Sequence, residues 1–264
     1  MDLGLKERVA IIGGSSKGLG KAIATSLAKE GTYVTICART ESELRKAEME
    51  IARSATQQHV LAIPADLSQI EDIKRVVRDT YNRFERLDIV VNNTGGPPAF
   101  KPSELEDSQW YEALEQNFLS AVRMSKAVIP LMKQQRWGRI INLLSNVVKQ
   151  PDLDLVLSTS TRLGVVGFAK MLSQELGRFN ITVNNVLPGL IMTDRITSLF
   201  ESKAQAQNSD AEELLRGITQ SIPARRLGRP EEIGDLVAFV ASERASYLSG
   251  QSLSLDGGAL SGIM

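Results

Sequence analysis

The residues best placed to do chemistry begin with a glycine loop, Gly13-Gly14-Ser15-Ser16-Lys17-Gly18-Leu19-Gly20. It lies between a short apolar run, Val9–Ile12, and a segment in which Leu19, Ile23 and Leu27 recur at helical spacing. Glycines there permit a tight turn and let a pyrophosphate approach the backbone N–H groups of a helix N-terminus. A strand before and a helix after is the context that turns such a loop into a dinucleotide cradle. The tip of the next apolar run, Tyr33–Ala38, decides which dinucleotide. Enzymes that take NAD place an acid there to bond the ribose 2′-hydroxyl. This chain instead reads Arg39-Thr40. A guanidinium is a planar, permanently charged fork suited to a 2′-phosphate, and Lys17 adds a second cation from the loop. Glu41 and Glu43 follow at the start of a helix, where acids suit the dipole. The expected cofactor is therefore NADP(H), preferred over NAD(H).

The elements that must hold these residues alternate between strand and helix along nearly the whole chain. Apolar runs fall at Val9–Ile12, Tyr33–Ala38, 60–63, Ile89–Asn92, 140–143, 182–186 and Ser252–Leu255. Helical spacing fills the gaps, as with Ile73, Val76, Val77 and Tyr81, and Gly31 is a good helix stop. The fold class that follows is α/β: a Rossmann-type doubly wound seven-stranded parallel sheet with helices on both faces. No linker divides the 264 residues, so one NAD(P)-binding domain over 1–264 is expected. The polar, mixed-charge stretch 194–221 reads as a helical lid over the site, with a solvated surface insertion as the alternative.

These motifs together resemble the short-chain dehydrogenase/reductase family, over essentially the whole chain. Gly14-x-x-x-Gly18-x-Gly20 is similar to that family's glycine spacing, with Gly13 where Thr is usual, and Lys17 and Arg39 stand at its NADP-marking positions. The resemblance implies that Asp66 and Leu67 contact the adenine. It also implies cofactor contacts from Asn93, Thr94 and Gly95, in the Asn92-Asn93-Thr94-Gly95 segment, and from Pro188, Gly189, Ile191 and Thr193, whose Thr bonds the nicotinamide carboxamide. Gly228-Arg229-Pro230, Tyr247-Leu248-Ser249-Gly250 and Leu255-Asp256-Gly257-Gly258 look most like the 3-oxoacyl-[acyl-carrier-protein] reductases. For catalysis the resemblance implies Asn117 and the carbonyl-binding Ser145.

One departure touches the chemistry itself. Where the family carries Tyr-x-x-x-Lys, this chain has Ser158-Thr159-Ser160-Thr161-Arg162, and no tyrosine lies between Ser145 and Arg162. Four residues apart on a helix, Ser158 and Arg162 share a face. A phenol with a pKa of about 10 can be tuned towards working pH by a neighbouring cation. An aliphatic hydroxyl is a far poorer acid, and arginine keeps its proton. Two readings stand. In one, an NADPH-dependent reductase acts on a carbonyl, 3-oxoacyl among the options, with Ser145, Ser158 or Ser160 on the carbonyl and Arg162 on the oxyanion. Arg162 also bonds the cofactor ribose, and the proton comes through a ribose hydroxyl or water linked to Asn117. In the other, the protein is a catalytically silent NADP(H)-binding sensor or scaffold. Lys149 is expected to be exposed, with an extra cation of the site as the alternative, and Leu153, Leu155 and Leu157 to be either pocket lining or packing.

The bulk numbers set the surroundings. Lys plus Arg and Asp plus Glu are both 31, which argues against a nucleic-acid or polybasic membrane binder. One cysteine, Cys37, in an apolar strand, and one histidine, His59, leave neither a disulfide framework nor a metal cluster. A small carbonyl or alcohol substrate, no nucleic acid, no membrane and a cytoplasmic location are the expectations. So is a homo-oligomer, tetramer or dimer, pairing long helices at 109–133 and 158–177.

Overall fold

Parallel strands in the interior of a sheet are covered on both sides, so they must be apolar on both faces. The runs at Val9–Ile12 and Ile89–Asn92 meet that condition and are buried throughout. In the computed structural model, which describes residues 1–55, 59–207 and 209–262, they form the centre of a seven-stranded sheet. In chain order the elements are β1 (Val9–Ile12), α1 (Gly18–Lys29), β2 (Tyr33–Ala38), α2 (Glu41–Ser54), β3 (Val60–Pro64), α3 (Ile70–Phe84) and β4 (Ile89–Asn92). There follow α4 (Asp107–Ala113), α5 (Ser120–Gln135), β5 (Gly138–Leu143), α6 (Val156–Leu176), β6 (Ile181–Pro188), α7 (Asp194–Gln207), α8 (Ala211–Ser221), α9 (Pro230–Ala241) and β7 (Ser252–Leu255). The sheet order is β3-β2-β1-β4-β5-β6-β7, with every pair parallel. Strand order reverses between β1 and β4, and a ligand crevice opens beyond the carboxyl ends at such a switch.

Successive β1 residues feed opposite cores. Ala10 and Ile12 pack with Ile23, Leu27, Leu44 and Val237 from α1, α2 and α9. Val9 and Ile11 pack with Ile73, Val76, Val128 and Leu176 from α3, α5 and α6. Gly31 ends α1 with φ of +81°, as its position after Lys29-Glu30 predicts. The expected continuous helix over 109–133 is corrected. A π-helical turn, Leu114–Leu119, separates α4 from α5 and carries Asn117. The 194–221 stretch forms two helices, α7 and α8. No helix among the described residues is long and apolar enough to cross a membrane.

A row of amides crosses four strands in register, Asn92 beside Asn142, Asn142 beside Asn185 and Asn185 beside Ser252. Asn92 Nδ2 donates to Asn142 Oδ1 at 2.8 Å, Asn142 Nδ2 to Asn185 Oδ1 at 2.9 Å, and Asn185 Nδ2 to Ser252 Oγ at 3.0 Å. Buried amides are costly unless each finds a partner, and here each is its neighbour's partner.

The opposite, amino end of the sheet holds a charged cluster. The guanidinium groups of Arg8 and Arg139 lie 3.8 and 4.1 Å from the ring centroid of Trp137. Glu243 accepts from Trp137 Nε1 at 2.6 Å and from Arg8 at 3.0 Å, and stands 3.6 Å from Arg139. Asp88, fully buried, accepts from the Val9 N–H, Arg8 and Arg86. Burial pulls the Arg139 pKa down to about 10, against the opposing pull of Glu243.

Candidate functional site

The glycine loop leaves β1 and enters α1 through two left-handed residues, Gly14 (φ +53°) and Gly18 (φ +57°). Only glycine takes that conformation without steric cost. A side chain at Gly20 would place its Cβ 2.3 Å from the Gly14 carbonyl, and one at Gly13 2.4 Å from that of Asn93. Asn93, just past β4, fixes the loop by donating from Nδ2 to the carbonyls of Gly13 (2.9 Å) and Gly14 (3.3 Å). Helix α1 has no side-chain cap and no acid in its first turn. Its leading N–H groups are thus left for an anion. Ser16 and Leu19 are half-buried beside the loop. Ser15 departs from the expectation of a cofactor contact. It is fully buried, its hydroxyl bonds Ile12 O and Cys37 N, and its own N–H bonds Cys37 O. It ties the loop to β2. Burial pushes the Cys37 thiol up to about 12, so that cysteine is inert packing.

At the tip of β2, Arg39 is exposed and has no hydrogen bond or ion pair among the described residues. Thr40 caps α2 by position, without a side-chain bond to it. Lys17 stands 3.5 Å from Glu43, both largely in solvent. After β3, Asp66 accepts from the N–H and hydroxyl of Ser68, and the Leu67 side chain lies against Gly13. The Asp66 N–H donates to Asp72, whose pKa is lowered by that bond and by Arg75. A cradle too tight for a Cβ, an uncapped helix start and an uncommitted guanidinium at the ribose end fit a 2′-phosphorylated dinucleotide.

The catalytic candidates converge on the carboxyl ends of β4 and β5. Asn117 is 5% exposed, and its Nδ2 donates to Thr94 Oγ1 and Gly95 O, both at 3.0 Å. A carbonyl can only accept, so this fixes the amide orientation and leaves Oδ1 buried without a donor among the described residues. The π-turn adds one residue to the helix there and aims this side chain at the strand ends. Ser145 starts a 3₁₀ turn after β5, and its hydroxyl makes only long contacts, 3.4 Å, with Asn146 Oδ1 and Val147 N. Ser158 and Arg162, both buried on α6, are bonded to each other, Nε to Oγ at 3.1 Å. Arg162 Nη1 also donates to the Leu143 carbonyl at the end of β5, at 3.1 Å.

Ser160 is corrected: it is exposed, two residues on from Ser158 and so on the far side of α6, and takes no part in the site. Lys149 is exposed. The alternating leucines divide, with Leu157 in the core, Leu155 half-buried in a bridge to Phe100, and Leu153 69% exposed. Pro188 and Ile191 are buried at the end of β6, and Gly189 packs so closely on Asp256 that a Cβ would lie 2.6 Å away. Thr193, half-buried, approaches Gly18.

A pocket joins some of these groups, and its lining leaves out Ser145, Ser158 and Thr193. Leu67, Asn93 and Thr94 form its cofactor side, and Asn117 and Arg162 its catalytic side. Asn92 and Asn142 of the amide row, with Ser120 and Met124 from α5, complete it and were not singled out from sequence. Nothing in their local spacing marks them, because only the sheet register and the helix phase bring them here. Among the described residues the lining holds no carboxyl, imidazole, phenol or amine, and Arg162 is its one charged group.

Against known proteins, residues 14–259 match the family model described as enoyl-(acyl carrier protein) reductase. The NADPH-dependent reductase BacG of Bacillus subtilis is 31% identical over 261 residues, 98% of this chain and 100% of that protein. The 3-oxoacyl-[acyl-carrier-protein] reductase FabG of Aquifex aeolicus is 33% identical over 261 residues, 98% and 99% of the two chains. Among solved structures, L-sorbose reductase from Gluconobacter frateurii, complexed with NADPH and L-sorbose, superposes with a TM-score of 0.95 at 31% identity and full coverage of both chains.

Proposed function

We propose, for a chain that belongs to the short-chain dehydrogenase/reductase family, that it is an NADPH-dependent reductase of a carbonyl substrate, 3-oxoacyl groups included, working without a tyrosine acid. The observation that carries this reading is the convergence of Asn117, Thr94 and Arg162 on one pocket at the cofactor crevice. The relatives with this architecture include reductases named for NADPH and for 3-oxoacyl substrates. Gly14, Ser16, Lys17, Gly18, Leu19 and Gly20 would cradle the pyrophosphate, with Arg39 and Thr40 on the 2′-phosphate. Asp66 and Leu67 would hold the adenine, and Asn93, Thr94, Gly95, Pro188, Gly189, Ile191 and Thr193 the nicotinamide half. When bound, the cofactor supplies a hydride.

The chain's own residues supply the rest. Ser145, whose hydroxyl is only loosely held, donates to the substrate carbonyl oxygen. Arg162, itself buried, stabilises negative charge on that oxygen, and a fixed cation away from solvent is worth more than one in water. Asn117 Oδ1, an acceptor with no donor among the described residues, holds one end of a water chain that relays the proton in from solvent. Helices α7 and α8 close over the substrate. The protein works in the cytoplasm as a dimer or tetramer. Tyr111 and Leu114, ahead of α5, and Leu163 and Met171 on α6 present the apolar surface that pairing would cover.

A second reading is favoured because no described residue of the pocket titrates near neutral pH: a silent NADP(H) binder that senses or scaffolds. NADPH oxidation followed by absorbance, against carbonyls that include a 3-oxoacyl thioester, separates the two. Turnover by the wild type supports the reductase. Turnover by the Ser158→Tyr/Arg162→Lys double variant alone supports the silent binder.

A further inference from the structure

We infer that Ser158 is a positioning residue for Arg162, and that the two form one unit in which the serine is an acceptor towards the protein. The inference deepens the reductase reading, in which Arg162 bears on the ligand. A guanidinium taken out of water must find acceptors, because a buried cation without them is strongly unfavourable. Arg162 is 8% exposed, and Ser158, one turn earlier on the same face of α6, is 7% exposed. Nε donates to Ser158 Oγ and Nη1 to Leu143 O, each at 3.1 Å. Two donors of one rigid plane on two different anchors, one on α6 and one on β5, fix both the place and the tilt of the group.

This bond also assigns the direction of the serine's hydrogen bonding. Ser158 Oγ receives a charge-assisted bond from the arginine, and its own proton goes to no acceptor among the described residues. A hydroxyl in that state is a far weaker acid than a phenol, whose pKa is about 10. The paired departure at 158 and 162 is then a single structural solution. The short serine leaves an acceptor one turn before the arginine, and the arginine takes it.

The test reads Arg162 directly in the full-length protein, with the Nε–H resonance assigned by its loss in Arg162→Lys. Hydrogen exchange at Nε–H is expected to be slow in the wild type, about tenfold faster in Ser158→Ala, and slow again in Ser158→Thr, which keeps the acceptor. Affinity for NADPH, measured by fluorescence titration, is expected to weaken in Ser158→Ala and recover in Ser158→Thr. Unchanged exchange in Ser158→Ala overturns the inference. If that variant does not fold, wild-type Nε–H exchange as fast as that of free arginine overturns it instead. Absence of turnover in the wild type defeats the reductase reading alone, since the exchange result stands without it.

Discussion

An ammonium and a guanidinium carry the same charge but differ in what they can give away. Lysine can share a proton with a neighbouring phenol, whereas arginine keeps its proton at any ordinary pH and offers a rigid fork instead. In the proposed reductase Arg162 would organise charge without relaying protons, and the proton would travel by another route. Arg39 uses the same fork at the other end of the cofactor crevice, where it is uncommitted. Arg39→Asp should weaken NADPH binding by about 10- to 100-fold, the loss of a charge-assisted bond plus a new repulsion. NADH binding should change far less. Fluorescence titration of both nucleotides checks it, and equal NADPH affinity in the variant would remove Arg39 from the phosphate site. The place of Arg39 at the end of β2 could be read from sequence because a strand tip has one address in this architecture. The burial of Ser15 could not, since its hydroxyl faces β2 for reasons of loop packing that no local sequence signal marks.

The strands were legible because interior parallel strands are short, apolar runs with few alternatives. The seven runs coincide with the seven strands to within two residues at either end. The π-turn in the middle of the 109–133 segment was not legible. It inserts one residue without a glycine or proline to mark it, and the apolar spacing on either side still looks helical. Yet that turn is what presents Asn117. The amide row escapes local reading for a related reason: three asparagines on three strands become one feature only once the register is known. Asn142 bonds both of its neighbours in that row, so Asn142→Leu strands an amide on each side. A loss of roughly 2–4 kcal/mol of unfolding free energy is expected, measured by urea titration. A variant as stable as the wild type would mean that water or a shifted neighbour replaces both bonds.

The two ends of the sheet do different work. The carboxyl end is open, glycine-lined and shaped for a ligand, while the amino end is sealed by Arg8, Arg86, Asp88, Trp137, Arg139 and Glu243. Arg139 is fully buried, and Glu243 is the carboxylate that faces it while still 44% exposed itself. Glu243→Gln should therefore cost about 1–2 kcal/mol, less than for a fully buried pair because solvent screens the glutamate. Arg139→Met, which removes the buried charge altogether, should be close to neutral. Thermal unfolding of both variants checks the pair of expectations, and a larger loss in Arg139→Met than in Glu243→Gln would reverse the argument.

The seal also has a timetable. Arg8 and Glu243 are 235 positions apart in the chain. A ribosome adding about 5–20 residues per second takes roughly 10–50 s to pass from one to the other. Arg8 waits for the Glu243 carboxylate through the whole of that interval, and Trp137 and Arg139 through the later part of it. The start of the first strand, bonded to Asp88 as soon as β4 is made, thus receives its second carboxylate among the last, and until residues beyond β6 and α9 arrive the seal is half complete.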